Sequence, residues 1–193
     1  MRITGGSHRG RPVAAPPGLE VRPTADRVRE ALFNRLIHGS GELGEGNLVA
    51  GSNVLDAFCG TGALGFEALS HGADRVVALE RDAKVARAAE RTARALGFAD
   101  AWSVRVADTL KPPAAPAACD LAFLDPPYGE DIAGAALAAL AAAGWIAAGT
   151  LCALEHDRRS PPTLPDAAMH LSTRAYGRVA ITLVRWQPRA LKF

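Results

Sequence analysis

Two periods of apolar residues alternate along this chain of 193 residues. Val28, Leu32 and Leu36, with Ala31 beside them, recur at helical spacing, and Thr24 stands where an N-cap belongs. After a loop marked by Gly39, Gly41, Gly44 and Gly46, short apolar runs and helical segments take turns. Residues 53–58, 75–80, 102–107, 120–124 and 149–154 predict strands, and 63–70, 82–96 and 132–143 predict helices. The second of these helices carries Val85, Ala89, Ala93 and Leu96 on one side. Strands and helices alternating at this length predict a parallel sheet with right-handed crossovers. Past Pro165 the pattern changes: 169–174 and 179–186 are strand-like segments around Tyr176-Gly177, an antiparallel hairpin that closes a mostly parallel sheet of seven strands. Residues 1–23, rich in glycine, proline and arginine, read as a basic arm or short hairpin, and 24–193 as one α/β domain.

Composition narrows the class. With 49% apolar and 22% charged residues the chain can bury a core, and it is not a disordered sequence. The most apolar stretch, Ile132 to Leu154, is broken at Gly134, Gly144 and Gly149, so no membrane span is expected. Residues 1–13 carry basic side chains without a following apolar run, unlike a secretory signal, and cytoplasmic residence is the expectation. Three cysteines, Cys59, Cys119 and Cys152, form no CxxC pair; they are expected to be reduced, with at least two buried in strands. The five histidines lack ligand spacing, and no metal is expected.

Charge is unevenly divided. Residues 1–35 carry a formal +4, residues 36–157 carry −8, and residues 158–193 carry +6. If both basic ends lie on one side of the fold they form a face suited to a polyanion; arginines that merely solubilise exposed ends explain the same numbers.

The first strand runs into Gly60-Thr61-Gly62-Ala63-Leu64-Gly65, and Glu80 stands at the end of the next strand. This satisfies the dinucleotide fingerprint, yet its physical content is narrower. Glycines admit a ligand close to the backbone, and an acid at the second strand tip accepts from a ribose diol, which nicotinamide cofactors and S-adenosylmethionine share. Asp56 before the glycines disfavours a pyrophosphate and favours the cationic amino-acid end of S-adenosylmethionine; a plain turn cap is the other reading. Asp108, after the third strand, is placed to accept from an adenine amine or to be a solvated loop acid. Glu80 followed by Asp82 also fits a helix start.

The fourth strand ends in Asp125-Pro126-Pro127-Tyr128. Two prolines fix two φ angles and leave rigid carbonyls without competing donors. A carboxylate, fixed carbonyls and an aromatic ring suit an exocyclic amine on a flipped base, whose hydrogens need acceptors and whose ring needs a stacking face. Prolines that simply terminate a strand are the alternative.

Together the glycine loop and this tetrapeptide resemble class I S-adenosylmethionine-dependent methyltransferases with the (D/N)PP(Y/F) motif of amine methylation. Arg2-Ile3-Thr4-Gly5-Gly6, Arg9-Gly10-Arg11, and Arg22-Pro23-Thr24 running into Asp26-Arg27-Val28-Arg29-Glu30-Ala31-Leu32-Phe33-Asn34 extend the likeness over the full length. On these motifs the chain is similar to the bacterial 16S ribosomal RNA guanine-N2 methyltransferase family. The resemblance implies a Rossmann-like three-layer sandwich and methyl transfer from S-adenosylmethionine to a guanine N2 amine, at position 966 of that RNA. It implies cofactor contacts at Asp56, Gly60, Gly62, Glu80 and Asp108, and a reacting site at Asp125, Pro126, Pro127 and Tyr128. The expected RNA phosphate contacts are Arg9, Arg11, Arg22 and Arg29, together with the C-terminal arginines. The implied partner is 16S ribosomal RNA within an assembled or assembling small subunit, the protein acting as a monomer without a membrane or a metal. Cys59 occupies a place where the family has a small residue, and a thiol fits there. Competing readings are an adenine-N6 methyltransferase on RNA or DNA, a nicotinamide-dependent oxidoreductase, and a non-catalytic RNA-binding protein, which leaves Asp125 to Tyr128 without a role.

Overall fold

The computed structural model describes residues 1–14, 25–39, 43–127 and 131–187. Among them, seven strands form one sheet: β1 (Asn53–Asp56), β2 (Arg75–Glu80), β3 (Trp102–Val106), β4 (Leu121–Leu124), β5 (Leu151–Asp157), β6 (Ala168–Tyr176) and β7 (Val179–Trp186). Four helices accompany them: α1 (Ala25–His38), α2 (Ala63–Ser70), α3 (Ala83–Leu96) and α4 (Ala133–Ala142). The strand order is β3-β2-β1-β4-β5-β7-β6, with β1 to β5 parallel and β7 antiparallel to both β5 and β6. The seven-stranded, mostly parallel α/β sandwich read from the sequence is therefore the fold. The hairpin inserts its second strand, β7, beside β5 and leaves β6 at the edge.

Parity along the central strands divides the core. Val54, Leu121, Phe123, Leu151 and Ala153 face α1, α2 and α3, whereas Leu55, Ala122, Leu124, Cys152 and Leu154 face α4. Because both faces are covered, β4 reads as an unbroken apolar run, Leu-Ala-Phe-Leu, all buried. The order of crossovers reverses between β1 and β4, so a crevice opens beyond their carboxyl ends, where Asp56 and Leu124 hand over to loops.

The opening residues are part of this fold. Ile3 N donates to Arg11 O at 3.0 Å and Val13 N to Met1 O at 3.0 Å, closing a small hairpin around a 3-10 turn, Gly6–His8. Its Ile3 and Val13 enter the same core cluster as α1 and α2. The hairpin is fastened by Glu67, the one acid of α2, which is fully buried. Glu67 accepts from Thr4 N, from Thr4 Oγ1 at 2.7 Å, from Gly5 N at 2.7 Å and from Arg29 Nε at 2.8 Å. Burial alone would raise its carboxyl, but His71, Thr4 and Arg29 together pull it from 4.5 to about 2.

All three cysteines are buried and free, but only Cys152 lies in a strand. The expectation of two in strands fails because Cys119 sits just before β4 and Cys59 in the turn after β1.

Candidate functional site

A cleft of about 530 Å³ lies at the crevice. The loop after β1 (Phe58 to Thr61), the tip of β2 (Glu80, Arg81), the segment after β3 (Ala107 to Leu110) and the segment after β4 (Asp125 to Pro127) line it. Met1 and, from α1, Val28, Arg29 and Leu32 close one side.

The glycine loop owes its shape to steric necessity. Gly60 and Gly62 have φ of +52° and +82°, a region where a side chain strains the backbone. A Cβ on Gly65 would stand 2.6 Å from the Trp102 ring and 2.9 Å from Val76, so this glycine lets α2 pack against the sheet. Gly60 is different: only the Phe58 carbonyl oxygen comes as near as 4.0 Å to its Cβ position, leaving bare backbone on a cleft wall for a ligand to lie against.

Glu80 joins the loop to the next helix. Its Oε2 accepts from Gly60 N at 2.9 Å and its Oε1 from Asp82 N at 2.8 Å, while Asp82 caps α3 through Lys84 N and Val85 N. Asp82 therefore starts the helix, while Glu80 braces Gly60 and Asp82 and stands on the cleft wall. The Gly60 amide, which a pyrophosphate would need, already serves a carboxylate, and a second phosphate-repelling acid, Asp108, lines the same cleft. Asp108 Oδ1 accepts from Leu110 N at 2.9 Å. Thr109 is buried between the two loops and donates its hydroxyl to Ala57 O.

Asp56 departs from expectation. It is 2% exposed, does not line the cleft, and accepts from Gly65 N at 3.0 Å. Burial pushes its carboxyl up to about 7; the Gly65 amide pulls it down, and the charge of Glu80 adds to the rise. A direct contact with the amino-acid end of a cofactor is thus corrected to a hold on the first turn of α2. Arg29 departs further. It is 4% exposed, with Nε on Glu67 and Nη2 at 3.0 Å from Asp26, so it has no guanidinium left for a phosphate. Its charge is buried because its counter-charge is buried with it.

Arg9 and Arg11 are exposed on the N-terminal hairpin, Arg11 reaching Ala95 O at 3.3 Å. Arg22 and Tyr128 lie outside the described residues. Asp125 is half-buried, Pro126 buried and Pro127 exposed, all on the cleft. Burial, then the charges of Asp56 and Glu80, hold the Cys59 thiol well above its ordinary value, and burial carries Cys152 to about 12; neither is a nucleophile. Sequence reasoning missed Met1, Thr109, Glu155 and Ile181 as site neighbours, and Glu67 as the hub behind them. A lone Glu in the otherwise apolar run Ala-Leu-Gly-Phe-Glu-Ala-Leu-Ser was the available signal for the last. Among the described residues, no group of three or more His, Cys, Asp or Glu is placed to hold a metal, and no helix is long and apolar enough to cross a membrane.

Known proteins align with almost the whole chain. The family profile described as Conserved hypothetical protein 95 matches residues 1–185. "Ribosomal RNA small subunit methyltransferase D" of Haemophilus influenzae is 34% identical over 95% of this chain and 92% of its own length. The protein of the same name from Escherichia coli K12 is 31% identical over 95% and 88%. The solved structure of yhhF from Escherichia coli superposes with a TM-score of 0.81 at 31% identity, covering 97% of this chain and 98% of that one. A profile spanning the hairpin, the glycine loop and the β4 tip alike shows that the chain belongs to the Conserved hypothetical protein 95 family.

Proposed function

We propose that this protein transfers a methyl group from S-adenosylmethionine to the exocyclic N2 amine of a guanine in small-subunit ribosomal RNA. The observation that carries the reading is the meeting, at one crevice, of the glycine loop after β1 and Asp125-Pro126-Pro127 after β4. Relatives named as small-subunit ribosomal RNA methyltransferases, matched over nearly the full chain, supply the substrate class.

The cleft fits the cofactor: bare backbone at Gly60, two acids at successive strand tips for a ribose and an adenine amine, and no free phosphate cradle. Bound there, S-adenosylmethionine supplies an electrophilic methyl on a sulfonium. Glu80 takes the ribose hydroxyls and Asp108 the adenine edge, with Gly60 and Gly62 giving room and Asp56 fixing the helix behind them. On the substrate side, the Asp125 carboxylate and the Pro126 carbonyl accept hydrogens from the guanine amine. That turns its lone pair out of the ring plane and stabilises the positive charge that grows on nitrogen. Tyr128 follows as the stacking ring. Arg9 and Arg11 on the N-terminal hairpin, and Arg22 beyond the described residues, meet RNA phosphates. The assembled or assembling small subunit is the substrate, and the protein acts as a monomer in the cytoplasm.

The test is to incubate the protein with methyl-labelled S-adenosylmethionine and, separately, small ribosomal subunits, free 16S ribosomal RNA and DNA, then digest and identify the labelled nucleoside. N2-methylguanosine from the subunit is expected. Label on adenine N6, label only in DNA, or binding of NAD in place of S-adenosylmethionine would overturn the assignment.

A further inference from the structure

Two arginines far apart in the sequence share one small surface beside the cleft. Arg35, on α1, is half-buried and donates from Nη2 to Ser172 Oγ on β6 at 2.7 Å. Its Nη1 is buried and has no hydrogen-bond partner among the described residues. Arg174, two residues beyond Ser172 and so on the same face of β6, is exposed. The side chain of Tyr176, again two residues on, interacts with Arg35. Burial, and after it the positive charge of Arg174, lower the Arg35 guanidinium from its ordinary value, and its interaction with Tyr176, a hydrogen bond included, works the other way. One turn either way on α1, Arg35 is flanked by Ala31, Leu32, His38 and Gly39, none of them an acid. Among the described residues, neither Arg35 nor Arg174 is paired with a carboxylate.

Register ties this pair to the cleft. Arg174 stands opposite Ile181 of β7, and Ile181 stands opposite Glu155 of β5. Ile181 and Glu155 both line the cleft, so Arg174 is one strand spacing, about 5 Å, outside its wall. Arg158, Arg159 and Arg178 border a second hollow at the same carboxyl edge of the sheet, the last of them held at 2.9 Å by Asp157, and they continue the positive charge past the turn after β6.

We infer that Arg35 and Arg174, with Ser172 fixing the first of them, form a phosphodiester subsite that holds the RNA strand alongside the cleft. Two like charges brought together without an acid between them are a costly arrangement that a phosphate bound at the exposed Arg174, next to the Arg35 charge, relieves. The Ser172 bond orients the Arg35 fork in advance, while Arg174 on the edge strand remains open to the solvent from which a strand arrives. This site rests on the RNA methyl-transfer reading for its ligand, and it leaves the role of Arg9 and Arg11 on the opposite, N-terminal side unchanged.

Poly(U) separates the two readings, because it carries phosphates but no guanine. Its affinity is measured against salt for the wild-type protein, Arg174→Gln, Arg174→Lys, Arg35→Gln and, as a charge control at the exposed amino end of β2, Arg75→Gln. Arg174→Gln is expected to bind about 10-fold more weakly at low salt. Its salt slope should be shallower by about 0.7 to 1, the value of one phosphate contact. Arg174→Lys should keep most of the slope, Arg35→Gln should resemble Arg174→Gln, and Arg75→Gln should match the wild type. Arg174 is exposed, so its replacement does not threaten the fold, and melting temperature checks Arg35→Gln. If Arg174→Gln and Arg75→Gln show the same slope, there is no phosphate subsite here, whatever the enzyme methylates. If the wild type transfers no methyl to subunits while the slopes differ as stated, the functional reading falls and the anion site stands.

Discussion

Replacing Glu67 by glutamine keeps its volume and removes its charge, which makes it a direct test of what fastens the N-terminal hairpin. The carboxylate is fully buried and takes hydrogen bonds from Thr4, Gly5 and Arg29. Moving a carboxyl from 4.5 to about 2 on folding corresponds to about 3 kcal/mol of stability. That agrees with the roughly 3 to 5 kcal/mol lost when one partner of a buried ion pair is removed. Glutamine also turns an acceptor into a donor facing other donors. We therefore expect Glu67→Gln to lose about 3 kcal/mol at pH 7 by urea unfolding, a drop in Tm of roughly 6 to 12 °C for a chain of this size. The folded-state value is depressed, so the stabilisation is complete above 4.5 and declines as pH falls toward 2. The gap between wild type and variant should shrink by roughly half on going from pH 7 to pH 3. Amide exchange at Thr4 and Gly5 should accelerate in the variant at pH 7. A gap that is absent, or that stays constant across this range, would refute the claim that the charge of Glu67 holds the hairpin.

Asp56 titrates with the opposite sign. Its folded-state value is raised from 3.8 to about 7, so its contribution is most favourable below 3.8 and is lost as pH rises to 7. Asp56→Asn should gain stability over the wild type at pH 8, by about 4 kcal/mol at most, and show no advantage at pH 4; equal stability at both pH values would refute this. Glu80→Ala should weaken S-adenosylmethionine binding by about 1 to 3 kcal/mol in calorimetric titration, and unchanged affinity would confine Glu80 to bracing Gly60 and Asp82. Asp125→Asn should cut the single-turnover methyl-transfer rate by about 10- to 1000-fold with cofactor affinity held, and a full rate would leave the Pro126 carbonyl as the chief acceptor.

The sheet was legible because its signal is local. Short apolar runs, helical spacing at Val85, Ala89 and Ala93, and the turn at Gly177 each report on their own neighbourhood. The same holds for Gly60, Gly62 and Gly65, whose conformations and close approaches only glycine tolerates. What stayed hidden were properties set by partners distant in the chain. Arg29 looks like any solvated arginine of a helix until Glu67, 38 residues on, is seen to bury it. Asp56 looks like a ligand until it is seen buried, with the Gly65 amide on its carboxylate. Ser172 and Arg35 are 137 residues apart, and no period in either segment announces that they touch. Net charge per segment was a poor guide for the same reason, since it counted Arg29 among the free cations at the basic end.

These placements sort the charges by what each region must hold. Acids gather at the tips of β1 and β2 and after β3, where Asp56, Glu80 and Asp108 surround the glycine loop. A cationic cofactor gains from that field and a nucleotide pyrophosphate loses, even though the glycine spacing by itself admits either. Burial raises the Asp56 carboxyl behind this field. On the proposed reading, a bound sulfonium and ammonium would favour its ionised form, which would link cofactor binding to loss of the Asp56 proton. Arginines lie outside the cleft, on β6 and the turns flanking it on one side and on the N-terminal hairpin on the other, where a polyanion can reach them without meeting the acids. Under the proposed methyl transfer, that separation would draw a cation into the floor and a polyanion to the rim, with Asp125 standing between them.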